Sequence, residues 1–87
     1  MPAMPPMESA TFGERLLLAR RRQRLSQREL ATRAGVYPTD VHRLENGLVQ
    51  DPHASRVVAL AQALNISIDW LLLGKTPCTN GQEERGA

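Results

Sequence analysis

The sequence specifies an all-α fold, a compact bundle of five short helices, and three observations carry that reading. Apolar residues recur at three- and four-residue steps in five stretches of the chain. Residues that start or stop helices punctuate those stretches: Ser26, Pro38, Pro52 and Ser67 at starts, Gly35, Gly47 and Gly74 at stops. The composition is 41% apolar but only 3% aromatic. A core must then be assembled from Leu, Val, Ile and Ala, which suits small helices at close approach. At 87 residues the chain holds one domain at most, expected over 11–74.

Residues 1–10 contain three prolines and are expected to be disordered. The first helix should run over about 11–24, with Phe12, Leu16 and Ala19 inward. Leu17 and Leu18 widen that face beyond what the period requires. They either join an interface or are ordinary surface leucines.

The second helix should begin at Gln27, because Ser26 and Glu29 have the spacing of a capping box. Leu30, Ala31 and Ala34 form its apolar face. Gly35 follows where a left-handed residue would end the helix, and Val36 can plug the corner. Pro38 suits the first turn of a third helix, since its missing N–H costs nothing there. Val41 and Leu44 point that helix inward, and Gly47 should end it. Ala31 is small enough for two helices to cross steeply.

Residues 48–51 read as a loop. Pro52 leads into a fourth helix over roughly 53–64, with Val57, Val58, Leu60, Ala61 and Leu64 as its apolar positions. Ser67 is a good N-cap for a fifth helix through Asp69, Trp70 and Leu71 to Leu73, which Gly74 should stop. Residues 75–87 are polar and without periodicity, and a disordered tail is expected there.

Residues 26–47 thus read as two short helices joined by a tight turn, a helix-turn-helix, the unit that sets one helix into the DNA major groove. The same pattern also serves as a packing corner in helical proteins. Charge distribution bears on the choice. Residues 11–50 hold eight Arg and four acidic groups, a balance of +4, whereas 51–87 hold three basic and four acidic groups. Every cation on the proposed DNA-binding half is Arg, which suits bidentate contact with phosphate or guanine. A solvated Arg-rich face would look alike, and the excess is modest for a nucleic-acid binder.

Other classes find little support. No apolar run approaches the roughly 20 residues of a membrane span, and the first ten residues lack the regions of a signal peptide. A cytoplasmic, nucleoid-associated setting is expected. The single cysteine, Cys78, excludes an internal disulfide and a cysteine-based zinc site. His42 and His53 have no companion ligands, so no metal or cofactor is expected. With no Gly-rich phosphate loop and no carboxylate pair on rigid elements, an enzyme is not expected.

Residues 12–74 resemble the Cro/repressor-type (XRE-like) helix-turn-helix domain of phage repressors and small bacterial regulators. The resemblance rests on FGERLLLARRRQRLSQRELA from Phe12, the Gly35-Val36 turn, LENG at 44–47 and ALNISIDWLLLG at 63–74. Each is weak alone; four in order at the expected separations are a strong signal. The resemblance implies a lambda-repressor-like five-helix bundle acting as a homodimer on a palindromic double-stranded DNA operator.

It also implies site roles. Gln27 corresponds to a glutamine that contacts phosphate, where a helix N-terminus favours an anion in any case. Arg20 and Glu45 correspond to a pair joining the first and third helices, and Arg20 can also touch phosphate. Asn46 lies where another backbone contact is made, and Ser26, Tyr37 and His42 complete the expected phosphate set. Base reading falls to Pro38, Thr39, Asp40 and Arg43. Arg43 is the best candidate for guanine O6 and N7, and Thr39 can bond a phosphate or touch a thymine methyl. Asp40 can accept from cytosine N4 or simply stabilise the helix N-terminus. Ile68, Trp70, Leu72 and Leu73 are candidates for a dimer interface; Trp70 fits better as a core indole.

Three departures from the family pattern bear on affinity and operator sequence. Tyr37 stands where Ser or Thr usually caps the third helix, and it can stack on sugar–phosphate or cover the turn. Pro38 replaces a polar reader, and residues 48–51 hold Asp51 and no cation. The implied function is a transcriptional regulator, usually a repressor. The alternative is a protein-interaction module, or the antitoxin of a toxin pair, with DNA contact secondary.

Overall fold

The computed structural model describes residues 6–49 and 52–75. Five helices follow in order: α1 Phe12–Arg22, α2 Gln27–Ala34, α3 Pro38–Glu45, α4 Ala54–Leu64 and α5 Ile68–Leu73. No strand occurs among the described residues.

Local chemistry explains the boundaries. Ser26 Oγ accepts from the Glu29 N–H at 3.0 Å while Glu29 Oε1 accepts from the Ser26 N–H at 2.8 Å, closing the expected capping box. Thr11 and Glu14 make a second box at the start of α1, at 3.1 and 2.8 Å. Gly35 (φ 74°) and Gly74 (φ 76°) take the left-handed conformation as the C-caps of α2 and α5. Helix α1 stops two residues earlier than its sequence suggests, because Arg24 turns left-handed at φ 57°. Helix α3 begins with Pro38 at its first position and has no side-chain cap from Tyr37.

The core is aliphatic apart from one indole. Leu16, Leu30, Val41, Leu60, Leu64, Leu71 and Trp70 are all fully buried. Helix α2 packs against α3 and α4, α1 against α3 and α5, and α4 against α5. Ala31 is buried with them, and its small side chain suits the close approach of the helices beside it. The approach of α1 to α3 is closer still. A Cβ at Gly13 would lie 2.5 Å from the carbonyl oxygens of both Leu44 and Glu45, so only glycine fits there without a shift.

Two expectations are sharpened and one is corrected. Phe12 packs against the core but stays partly buried, beside the buried Leu16 and Ala19 of the same inward face. Of the apolar positions of α4, Val57, Leu60, Ala61 and Leu64 are buried and Val58 is exposed. Residues 6–10 are not loose: the Met7 N–H donates to the Gly74 carbonyl at 2.8 Å, and the Met7 side chain packs on the core. Residues 1–5 and 76–87, with Cys78, lie outside the described residues.

Arg15 secures that arrangement. Its Nε donates to the Leu71 carbonyl at 2.9 Å and its Nη2 to the Leu72 carbonyl at 2.6 Å. Its Nη1 donates to the carbonyls of Met7, at 3.1 Å, and Ala10. The guanidinium thus supplies a cation and donors to the open C-terminal end of α5 and ties the N-terminal segment to it.

Candidate nucleic-acid interface

The amphipathic division of α3 defines the site. Val41 and Leu44 are buried, while Pro38, Thr39, His42 and Arg43 are exposed. Asn46, the C-cap, and Tyr37, the N-cap, are also exposed, Tyr37 to 75%. One side of the helix therefore anchors it while the other offers a row of polar groups to solvent.

The pose of α3 is fixed from α1 and α2 by one ion pair. Arg20 Nε donates to Glu45 Oε2 at 2.6 Å and Nη2 to Oε1 at 3.0 Å. The pair is largely buried, with side chains 11% and 4% exposed. Arg20 Nη1 also donates to the Leu25 carbonyl at 2.8 Å, and Gln27 Nε2 to Glu45 Oε1 at 3.0 Å. Glu45 thereby joins the end of α1, the start of α2 and the end of α3. A buried pair of this kind contributes orientation more than net stability. Most of the Arg20 fork is engaged in this way, which limits what it can offer a phosphate.

The start of α2 has a different character. Its capping box uses the Glu29 N–H, but Gln27 and Arg28 stand in the first turn, where backbone N–H groups have no intrahelical acceptor. Arg24 and Arg28 are exposed beside them. Together these groups form an electropositive, donor-rich edge next to α3. The Ser26 N–H also stabilises the Glu29 carboxylate and holds it below its ordinary value, with a smaller contribution from Arg33.

The sequence-selected residues separate into three groups. Pro38, Thr39, His42, Arg43 and Asn46 are exposed along α3, Ser26 and Tyr37 are the exposed N-caps of α2 and α3, and Gln27 is half-buried against Glu45. Within that row, Asn46 Nδ2 donates to the His42 carbonyl at 2.7 Å. Asp40 is set apart from the row: its Oδ1 accepts from Arg56 of α4 at 2.8 Å, and its Oδ2 from the Tyr37 N–H at 3.4 Å. Trp70 is fully buried, so it cannot share the α5 surface on which Ile68, Leu72 and Leu73 are exposed. Arg15 and Arg56 carry structural duties that periodicity does not register, because their partners are distant in sequence.

This geometry agrees with what the chain is similar to. Residues 13–77 match the helix-turn-helix domain family. The chain belongs to that family, in its Cro/repressor branch. It is 38% identical over 66 residues to the HTH-type transcriptional repressor RghR of Bacillus subtilis, covering 76% of this chain and 47% of that protein. The chain therefore spans about half the length of this curated helix-turn-helix relative. Among solved structures, the P22 c2 repressor in complex with a synthetic operator superposes with a TM-score of 0.71 at 29% identity. That match covers 76% of this chain and 98% of the repressor chain. SinR, the master regulator for biofilm formation, in complex with DNA gives 0.68 at 26% identity over 70% of this chain and 97% of its own. Helix-turn-helix regulators of this branch are DNA-binding proteins, not a class of enzymes. No described helix is long and apolar enough to cross a membrane.

Proposed function

We propose that this chain is a sequence-specific double-stranded-DNA-binding transcriptional regulator of the repressor type, bound to a palindromic operator as a homodimer. Helix α3 enters the major groove. The observation that carries the reading is the divided α3: Val41 and Leu44 inside, a polar row outside, and the helix held by the Arg20–Glu45 pair. RghR is named a transcriptional repressor, and the P22 c2 repressor and SinR were solved with DNA.

Roles follow from chemistry and position. Arg43 is the principal base reader, its fork directed to guanine O6 and N7. Thr39 contacts a thymine methyl or phosphate, and Pro38 offers apolar contact only. Gln27, with Ser26, Tyr37, His42 and Asn46, positions the protein on phosphates, and the backbone N–H groups at the start of α2 add to that set. Arg20 contributes through its grip on Glu45 and secondarily to phosphate. Ile68, Leu72 and Leu73 of α5 supply the dimer contact. Two copies would then address half-sites about 34 Å apart.

Selection of bound fragments from a random DNA pool at low salt tests the proposal. An enriched inverted repeat with half-sites one helical turn apart supports it; a pool that never departs from random rejects it. Replacing Arg43 with Ala should flatten preference at one position in each half-site, costing about 1–3 kcal/mol of discrimination there. A preference profile that survives the change removes Arg43 from base reading.

A further inference from the structure

We infer that Arg56, on α4 and outside the helix-turn-helix, determines operator preference by holding Asp40 out of the DNA interface. This inference rests on the DNA-binding reading above.

The problem it addresses is electrostatic. Asp40 stands in the first turn of the helix proposed to face DNA, three residues before Arg43. A free carboxylate at that position has two consequences. It repels phosphates, and it selects for bases that present an exocyclic amine in the major groove. Neither outcome follows if the carboxylate is already engaged, and here both oxygens are. Oδ1 accepts from Arg56 Nη1 at 2.8 Å, and Oδ2 lies 3.4 Å from the Tyr37 N–H. The Asp40 side chain is only 17% exposed.

The surroundings hold Asp40 in that position. It lines a recess formed by Ala34, Gly35, Val36 and Tyr37 on one side and Ser55, Arg56 and Ala59 of α4 on the other. The recess lies on the α4 side of α3, whereas Thr39, His42 and Arg43 are exposed away from the core. The second contact matters because α3 lacks a side-chain cap. Asp40 bonds the backbone at its N-terminus and Arg56 holds its other oxygen, so the carboxylate is kept on the α4 side, while α3 itself is held by Val41, Leu44 and the Arg20–Glu45 pair.

Arg56 is therefore a positioning residue, not a phosphate contact. The distinction is measurable by a mutant cycle read with random-pool selection and operator titration, with thermal melts confirming that each variant is folded. Wild type, D40A, R56A and D40A/R56A are compared. R56A releases the carboxylate, so affinity should fall roughly three- to tenfold at low salt, as expected for an unscreened charge several ångströms from phosphate. Its selected sites should shift toward cytosine or adenine at the base pair under the first turn of α3. D40A should keep the wild-type preference, and D40A/R56A should recover both wild-type affinity and wild-type preference.

Three results overturn the inference. If D40A alone relaxes preference at one position, Asp40 reads that base in the wild type. If D40A/R56A remains as weak as R56A, and its salt slope falls by about one, Arg56 itself contacts phosphate. If R56A selects and binds as wild type does, the pair has no part in recognition. A wild-type chain that enriches nothing rejects the DNA-binding reading instead, and this inference with it.

Discussion

Arg15 is the residue whose role departs most from its type. It belongs to the run of basic residues that reads as a DNA-facing excess, yet it is buried and spends its donors on four backbone carbonyls. Burial pushes its guanidinium below its ordinary value, and neighbouring Glu14 partly opposes that. Loss of the side chain should leave carbonyls at the end of α5 without partners. Arg15→Met should therefore lower unfolding free energy by about 2–4 kcal/mol, measured by urea denaturation. Lys at the same position keeps the charge but not the planar fork, so it should rescue only part of the loss. A change below about 0.5 kcal/mol, the range of neutral surface substitutions, would show that water replaces the guanidinium at no cost. Trp70 presents the complementary case. Its indole is fully buried in a core with no other aromatic side chain among the fully buried residues. Trp70→Ala should cost about 3–5 kcal/mol. Near-wild-type stability would remove it from the core.

Among the elements, α2 shows how far local chemistry determines structure. Ser26, Glu29 and Gly35 announce its limits in the sequence, and the helix runs from Gln27 to Ala34 between them. Its cap makes a specific acid sensitivity. The Ser26 N–H holds the Glu29 carboxyl below its ordinary value of 4.5. On acidification the unfolded chain takes up that proton first. The contribution of the cap is therefore complete above about pH 4.5 and is lost as pH falls through the lower folded value. Glu29→Gln preserves an acceptor for the Ser26 N–H without the titration. Wild type should lose stability relative to E29Q as pH drops through the carboxylate range, and parallel melting curves would discard the assignment. Helix α3 is the contrasting element. Its limits were legible from Pro38 and Gly47, and its buried face from the spacing of Val41 and Leu44. Its partners were not, because periodicity says which side of a helix turns inward and nothing about which distant side chain meets it. The Asp40–Arg56 pair and the Gly13 approach to Leu44 and Glu45 are contacts of that second kind. The Arg20–Glu45 pair was anticipated only through the family resemblance. The ordering of Met7 was hidden for a related reason: a proline-rich segment reads as loose until the carbonyl and donor it meets, Gly74 and Arg15, are placed beside it.

At the scale of the whole molecule, the two proposed interfaces occupy different helices and have opposite chemistry. The α2–α3 edge is polar and cationic, whereas Ile68, Leu72 and Leu73 of α5 expose apolar side chains, with Val58 of α4 exposed as well. Pro52, Ala54, Val57, Val58, Ile68 and Leu72 line a shallow apolar depression there. On this proposal the domain separates DNA reading from self-association, and α4 and α1 connect the two surfaces: Arg56 reaches α3 from α4, and Arg15 grips the end of α5 from α1. A charge placed on the α5 surface should therefore test dimerisation without disturbing the reading helix. Leu72 is 44% exposed, so Leu72→Glu should cost little monomer stability. Its effect on operator binding should be large. A second half-site held by a joined partner is met at an effective concentration that raises avidity by about 10²–10⁴, and a monomer forfeits that gain. Sedimentation should show L72E to be monomeric at concentrations where wild type is dimeric. Titration of a full operator should show a loss on the order of 10² or more, while binding to an isolated half-site stays equal to wild type. If L72E binds the full operator as tightly as wild type, α5 is not the dimer surface. If half-site binding falls as well, the substitution has disturbed the monomer, and the smaller change Leu73→Gln, at a 55% exposed position, decides between the two accounts.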